Sequence, residues 1–298
     1  MRGRAERGAA VVMAMLVVAI TATLVTGVFW RQSVIMRQAE NELSYAQAKW
    51  LIRGAIDWAG VILREDARTS SVDHFGEPWA VPLADTHLNP DDGRDPVYLA
   101  GAIRDEQAKF NLRNLAGPGG VNTRELAVLR RLLALVGASE ALAGPVAERV
   151  LAAVPGEGGR KQTALGLASI DDVLGLEDID AAVIERLRPF VTVLPQPTPV
   201  NANTAPAEVL AARIENLSRA DARRLVASRD RAFFKDRTDV LSRIGQLKLQ
   251  ASDAEIAVAT RFFSMAGTVT FRRARLHTQA LLRREANRVE AVWLQEAA

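Results

Sequence analysis

The sequence predicts an α+β protein. A long N-terminal helix, membrane-spanning in its first half and amphipathic in its second, packs on a small antiparallel sheet, and a large all-α insertion interrupts that sheet. Three observations carry the prediction: an uncharged run from Ala9 to Trp30 that continues to about Arg68 without proline, repeated helix-start signals between Val121 and Arg261, and alternating apolar residues after Phe262. With 298 residues, 49% hydrophobic and 24% charged, the chain is long and apolar enough to bury a sizeable core.

Composition removes several function classes. Lys+Arg 38 against Asp+Glu 35 leaves a net charge of +3, too little to argue for nucleic acid by bulk charge. The absence of cysteine excludes thiol nucleophiles, disulfides, Cys-ligated zinc and iron–sulfur clusters. His74, His87 and His277 show no HExxH spacing, and there is no G-x-S-x-G elbow. The reading is non-enzymatic, with no cofactor required.

At about 1.5 Å per residue the run from Ala9 to Trp30 spans about 33 Å, enough to cross a hydrocarbon core of about 30 Å. It is longer than a signal-peptide core and ends without a small-residue cleavage site. Arg2, Arg4 and Arg7 favour a cytoplasmic N-terminus, and Trp30 suits the far interface. Beyond it, Val34, Ile35, Leu43, Ala46, Trp50, Ala55, Trp58, Val61 and Ile62 recur at mostly three- and four-residue intervals and define an amphipathic helix leaving the membrane.

Arg7-Gly8 followed by Ala9-Ala10-Val11-Val12-Met13 resembles the leader of type IV pilin-like proteins. The resemblance implies cleavage between Gly8 and Ala9 by a prepilin peptidase; an uncleaved plain anchor is the alternative. Most pilins carry Glu as the fifth mature residue, where this chain has Met13. A buried carboxylate in hydrocarbon needs a partner, and a subunit at a filament end lacks one neighbour. The K-type minor pseudopilins of type II secretion resemble this pattern.

From Thr69 to about Pro96 the prolines read as a loop. Asp91, Asp92 and Asp95 within it are a candidate for structural Ca²⁺, although EF-hand spacing is missing and a solvated turn is the favoured account of them. Pro96 to Ile103 reads as a strand. The segment Asp105-Glu106-Gln107-Ala108-Lys109-Phe110-Asn111-Leu112-Arg113-Asn114-Leu115 closely resembles the D-E-x-G-K-F-N-L-N-N-L segment of K-type pseudopilins. Asp105 and Glu106 could form a catalytic pair, but neighbours on an extended backbone face opposite ways, so they read as polar anchors between subdomains.

Ser169 with Asp172, Ser218 with Asp221 and Ser252 with Glu255 give capping boxes. Asn122-Thr123 and Asn203-Thr204 open two similar segments, a weak internal duplication divided near Pro195 to Pro199. The stretch containing Asn201, Asn203 and Thr204 resembles the V-N-x-N-T-A opening of helix-hairpin-helix (SAM-like) units, including DNA-uptake receptors. Where a phosphate-holding glycine hairpin should lie, the chain has Ile214-Glu215-Asn216-Leu217-Ser218. The resemblance makes a membrane-anchored DNA receptor the rival reading, and the missing glycines and the Glu215 carboxylate count against it.

Phe262 to Phe271, Leu276 to Arg283 and Val289 to Gln295 complete an antiparallel meander. It places Leu276, Thr278, Ala280 and Leu282 on one face of their strand, and Val289, Ala291 and Trp293 on one face of theirs. The basic residues Arg272, Arg273, Arg275, Arg283, Arg284 and Arg288 read as solvated strand ends or as a surface for an acidic partner.

The expected organisation begins with a leader (1–8), a membrane helix (9–30) and the opening portion of a pilin-like domain (31–110). Two helical units (111–195 and 196–261) follow, and the closing strands of the pilin-like domain (262–298) complete the chain. The resemblance implies an inner-membrane, single-pass subunit with a periplasmic C-terminal domain. Its implied partners are the major and other minor pseudopilins, with prepilin peptidase as processing enzyme and no nucleic acid.

Overall fold

The computed structural model describes residues 3–89, 95–155, 161–176, 178–245, 256–286 and 288–297. Helix α1 runs unbroken over Gly3–Thr69, as expected of a proline-free segment. It is followed by β1 (Leu83–His87) and β2 (Val97–Asp105). β1 lies in the stretch read as loop, because its five residues sit close after Pro82 and show no apolar alternation.

The chain then leaves the sheet. It passes through β3 (Phe110–Asn111), β4 (Ala116–Gly117), β5 (Gly120–Val121), α2 (Thr123–Leu135), α3 (Ala143–Ala152), α4 (Ala181–Leu187) and β6 (Val191–Thr192). β7 (Val200–Asn201), α5 (Ala207–Arg213), α6 (Arg219–Arg231), α7 (Arg237–Gly245) and β8 (Ile256–Ala257) follow. The chain returns as β9 (Phe262–Phe271), β10 (Ala274–Glu285) and β11 (Arg288–Ala297). The five long strands form one antiparallel sheet in the order β1-β2-β9-β10-β11. The insertion therefore separates β2 from its sheet neighbour β9.

Within the insertion, parallel pairs β3–β6 and β7–β8 close the two successive segments. Both segments share one core that includes Phe110, Leu132, Leu133, Val209, Leu210, Phe234 and Val240. Asn122 caps α2 through its side chain, Ser169 and Asp172 form a full capping box, and Ser218 caps α6. Ser252 and Glu255 lie outside the described residues. Asn216 takes the left-handed conformation (φ 61) in the turn between α5 and α6, a position usually given to glycine.

The C-terminal half of α1 covers one sheet face. Its buried line is Ser44, Ala48, Ile52, Ala55, Ala59, Leu63 and Asp66, and the five apolar residues of that line pack with Leu99, Phe263, Met265, Val269, Leu276, Ala280 and Leu282. The small alanines allow the helix to approach the strands closely. The larger apolar residues of the sequence pattern mostly face elsewhere: Trp50 is 72% exposed and Trp58 50%. Size and hydrophobicity marked the wrong side of the helix, because the seam selects for small volume.

β11 also departs from simple alternation. Leu282 pairs with Ala291 but Leu281 with Trp293, so Val292 is an extra, bulged residue. The bulge turns Trp293 to the face opposite Ala291, where it packs with Leu194, Phe262 and Leu281. Val289 stays on the helix side. Val289, Ala291 and Trp293 thus do not share a face.

Candidate functional site

The motif residues from Asp105 onward meet where the insertion joins the sheet. Asp105 ends β2 and accepts from Gln107 N at 2.7 Å, Asn201 Nδ2 at 2.8 Å and Thr204 Oγ1 at 2.6 Å. Burial pushes its carboxyl up to about 6, and the side-chain donors Thr204 and Asn201 oppose the shift. Glu106 points the other way, accepting from the hydroxyls of Thr192 and Ser264 at 2.7 Å and from Lys109 Nζ at 3.0 Å. Its burial acts to raise the carboxyl, but Lys109 and the two hydroxyls outweigh it and hold the group below the ordinary carboxylate range. Gln107 donates to Pro199 O and accepts from Arg261 N.

The asparagines act as two-sided clamps. Asn111 donates to Gln196 O and Thr198 Oγ1 and accepts from Leu194 N. Asn114 exchanges both bonds with the Thr198 backbone, and Asn203 exchanges both with Phe234. Asn201 also donates to Asp73 O. Asn203 and Thr204 are thereby spent on long-range bonds, and α5 starts after Pro206 with no side-chain cap. Phe110 is buried, its N–H bonded to Phe190 O.

Sequence reasoning missed the second half of this joint. Arg284 is buried and donates to Asp66 Oδ2 at 2.8 Å, to Asp73 Oδ1 and Oδ2 at 2.5 and 2.7 Å, and to Thr260 O at 3.0 Å. Asp73 in turn accepts from Thr260 N. One guanidinium thus ties the end of α1, the following loop, β10 and the return from the insertion. Burial first, then the neighbouring charges of Glu77 and Asp73, pushes the Asp66 carboxyl up to about 6 despite Arg284. The signal was present: Arg284 keeps the two-residue phase of Leu276, Thr278, Ala280 and Leu282.

Arg284 is therefore no solvated strand end. Arg272 pairs with Asp95 at 2.6 Å, and Arg283 with Glu290. Asp95 is the described member of the acidic loop; Asp91 and Asp92 lie outside the described residues. Asp66, Asp73 and Glu77 bring carboxylate oxygens within 4.8 Å of one another. The cation placed among them is the Arg284 guanidinium, and this donor set does not fit a metal as it stands.

The apolar N-terminal stretch of α1 is the other candidate functional surface. Gly8, Ala9 and Met13 all lie within α1. Met13 is 69% exposed, and the apolar N-terminal stretch is bare, compatible with a single-pass membrane anchor. Among the described residues, Asp105 and Glu106 are closed in by their donors and present no open face to a substrate.

A bare apolar helix leading into a helix-on-sheet head, with a polar joint to a helical insertion, is compatible with a structural subunit anchored by one membrane span. Residues 108–196 and 200–259 match family models described as type II secretion system (T2SS), protein K. The chain belongs to the type II secretion system protein K family. It is 31% identical to the type II secretion system protein K of Pseudomonas aeruginosa, over 90% of this chain and 85% of that one. Identity is 27% with the protein K of Pectobacterium carotovorum, over 98% and 96% of the two chains. In fold it resembles a chain of the GspK-GspI-GspJ complex from enterotoxigenic Escherichia coli. The TM-score is 0.69 at 21% identity, covering 88% of this chain and 99% of that one.

Proposed function

We propose that this chain is a minor pseudopilin that caps the tip of the periplasmic pseudopilus and helps to start its assembly. The observation that carries the reading is the division of α1. Its N-terminal stretch is bare, while the following half is docked on one side and carries Leu43, Trp50, Trp58 and Val61 exposed on the other. Exposed aromatics on a helix are suited to packing against neighbouring helices. In the related solved assembly, GspK is in complex with GspI and GspJ; we infer corresponding minor pseudopilins as partners here, with the major pseudopilin below them.

The insertion adds bulk beside the sheet, which suits a subunit with nothing stacked above it. Met13 in place of an acid fits the same position. We further propose cleavage between Gly8 and Ala9 by prepilin peptidase, insertion in the inner membrane with a periplasmic head, and no catalytic activity, cofactor or nucleic acid. The helical units act as SAM-like packing modules. Glu215 is exposed in the turn where a helix-hairpin-helix unit holds phosphate, and its charge opposes DNA there.

Mass spectrometry of membrane-expressed protein with and without prepilin peptidase tests processing: a mature chain beginning at Ala9 is expected only with the enzyme. Co-purification with the other minor pseudopilins tests assembly, and failure to bind any of them would overturn the tip reading. Salt-sensitive DNA binding in a gel-shift titration would favour the receptor reading instead.

A further inference from the structure

The insertion contains a cleft of about 410 Å³, of mixed apolar and polar lining, between the β4–β5 hairpin, the start of α2, the Pro197–Pro199 linker and the end of α5. Its size is that of a small-ligand site. Arg213 and Glu125 both line it. Arg213 is almost wholly buried, its guanidinium 5.5 Å from the centre of the Phe110 ring, and it hydrogen-bonds only through Nη1, to Glu125 Oε1 at 2.6 Å; its Nε and Nη2 and the second Glu125 oxygen, all buried, have no hydrogen-bond partner.

That free edge has a known use elsewhere in this chain. Arg243 grips both oxygens of Asp239 through Nε and Nη2, each at 2.9 Å, whereas Arg219 aims the same pair of atoms at the single oxygen Oε1 of Glu208, at 3.2 and 2.7 Å. Two parallel N–H donors match a carboxylate's two oxygens. The charged groups lining the cleft are Arg124, Arg213 and Glu125, so two cations face one anion and a single negative charge completes the set. The Phe110 ring offsets part of the guanidinium's desolvation, but the Nε–Nη2 edge makes no hydrogen bond, and admitting a carboxylate there by a small shift of the wall would supply it.

We propose that this cleft docks an acidic side chain carried on an extended polypeptide. The carboxylate bridges Nε and Nη2 of Arg213, and the adjoining backbone N–H donates to the free oxygen of Glu125. Pro118, Pro197 and Pro199 supply rigid walls that lack competing N–H donors. Exposed Arg124 adds attraction at the mouth. The proposal is independent of the tip reading, since it concerns the insertion alone.

The test uses the full chain in detergent micelles, labelled with ¹⁵N-arginine, and follows the Nε–H signal of Arg213, assigned by its loss in Arg213→Lys. N-acetyl-aspartate N-methylamide should shift that signal saturably, and the asparagine analogue should not. Arg124→Ala, an exposed change that leaves the buried pair intact, should weaken binding several-fold. Arg213→Lys should weaken it about tenfold or more, read from the signals of neighbouring residues. No saturable shift, an equal response to the asparagine analogue, or unchanged affinity in Arg124→Ala would each overturn the proposal. Acetate binding as tightly as the blocked aspartate would overturn the assignment to a polypeptide.

Discussion

Where α1 lies on the sheet, the contact is Ala48, Ile52, Ala55, Ala59 and Leu63 against Leu99, Met265, Val269, Leu276, Ala280 and Leu282. Where the insertion joins the same sheet, it is Asp105, Asn201, Thr204, Asp73, Thr260 and Arg284. The first seam is non-directional: any side chains of suitable volume would hold the helix down. The second is directional, because each clamp has a donor and an acceptor that must meet particular groups. An inserted unit has two chain crossings to the sheet and must be oriented at both. A continuous helix needs only to be covered.

Arg284→Met should separate the two seams most sharply. It leaves Asp66 and Asp73 buried beside no cation, and a loss of about 3–5 kcal/mol is expected in thermal or urea unfolding. At the apolar seam, Leu63→Ala should cost about 3 kcal/mol through lost burial and a cavity. Asn203→Ala removes the two bonds to Phe234, which should cost about 2 kcal/mol. Ile52→Leu, which keeps volume, should cost less than about 1.5 kcal/mol.

The seams should also differ in pH response. Burial raises the Asp105 and Asp66 carboxyls from 3.8 to about 6. A carboxyl raised on folding keeps its proton in the folded chain after the unfolded chain has released it. Its stabilisation is therefore complete below the unfolded value and lost as pH rises through about 6. Unfolding midpoints measured from about pH 5 to about pH 7.5 should fall, and Asp105→Asn should flatten part of that slope. The smallest effect on stability belongs to Trp58→Ala on the exposed helix face, within about 0.5 kcal/mol, while partner co-purification should drop.

Much of the architecture was legible because it rests on local rules. The absence of proline set the reach of α1, β-branched and aromatic residues located β2 and β9, and alternation located β10 and β11, each to within a few residues. The helix face was not legible, since alanines carry little hydrophobic signal and their role is to leave space. The β11 bulge was hidden because register depends on the partner strand. The motif from Asp105 to Asn114 announced a joint through its residue types, yet its partners lie far along the chain. Arg284 is separated from Asp73 by 211 positions, and only its phase on β10 hinted that it faces inward.

The unbroken span of α1 carries a mechanical consequence. From Ala9 to Thr69 it is a rod of about 90 Å at about 1.5 Å per residue, with no proline at which to bend. A tilt of about 5° at its membrane end swings the far end sideways by about 8 Å, the width of nearly two neighbouring strands. The alanine seam keeps the head fixed to that lever, so motion imposed in the membrane reaches the insertion as displacement, with little lost to flexing on the way.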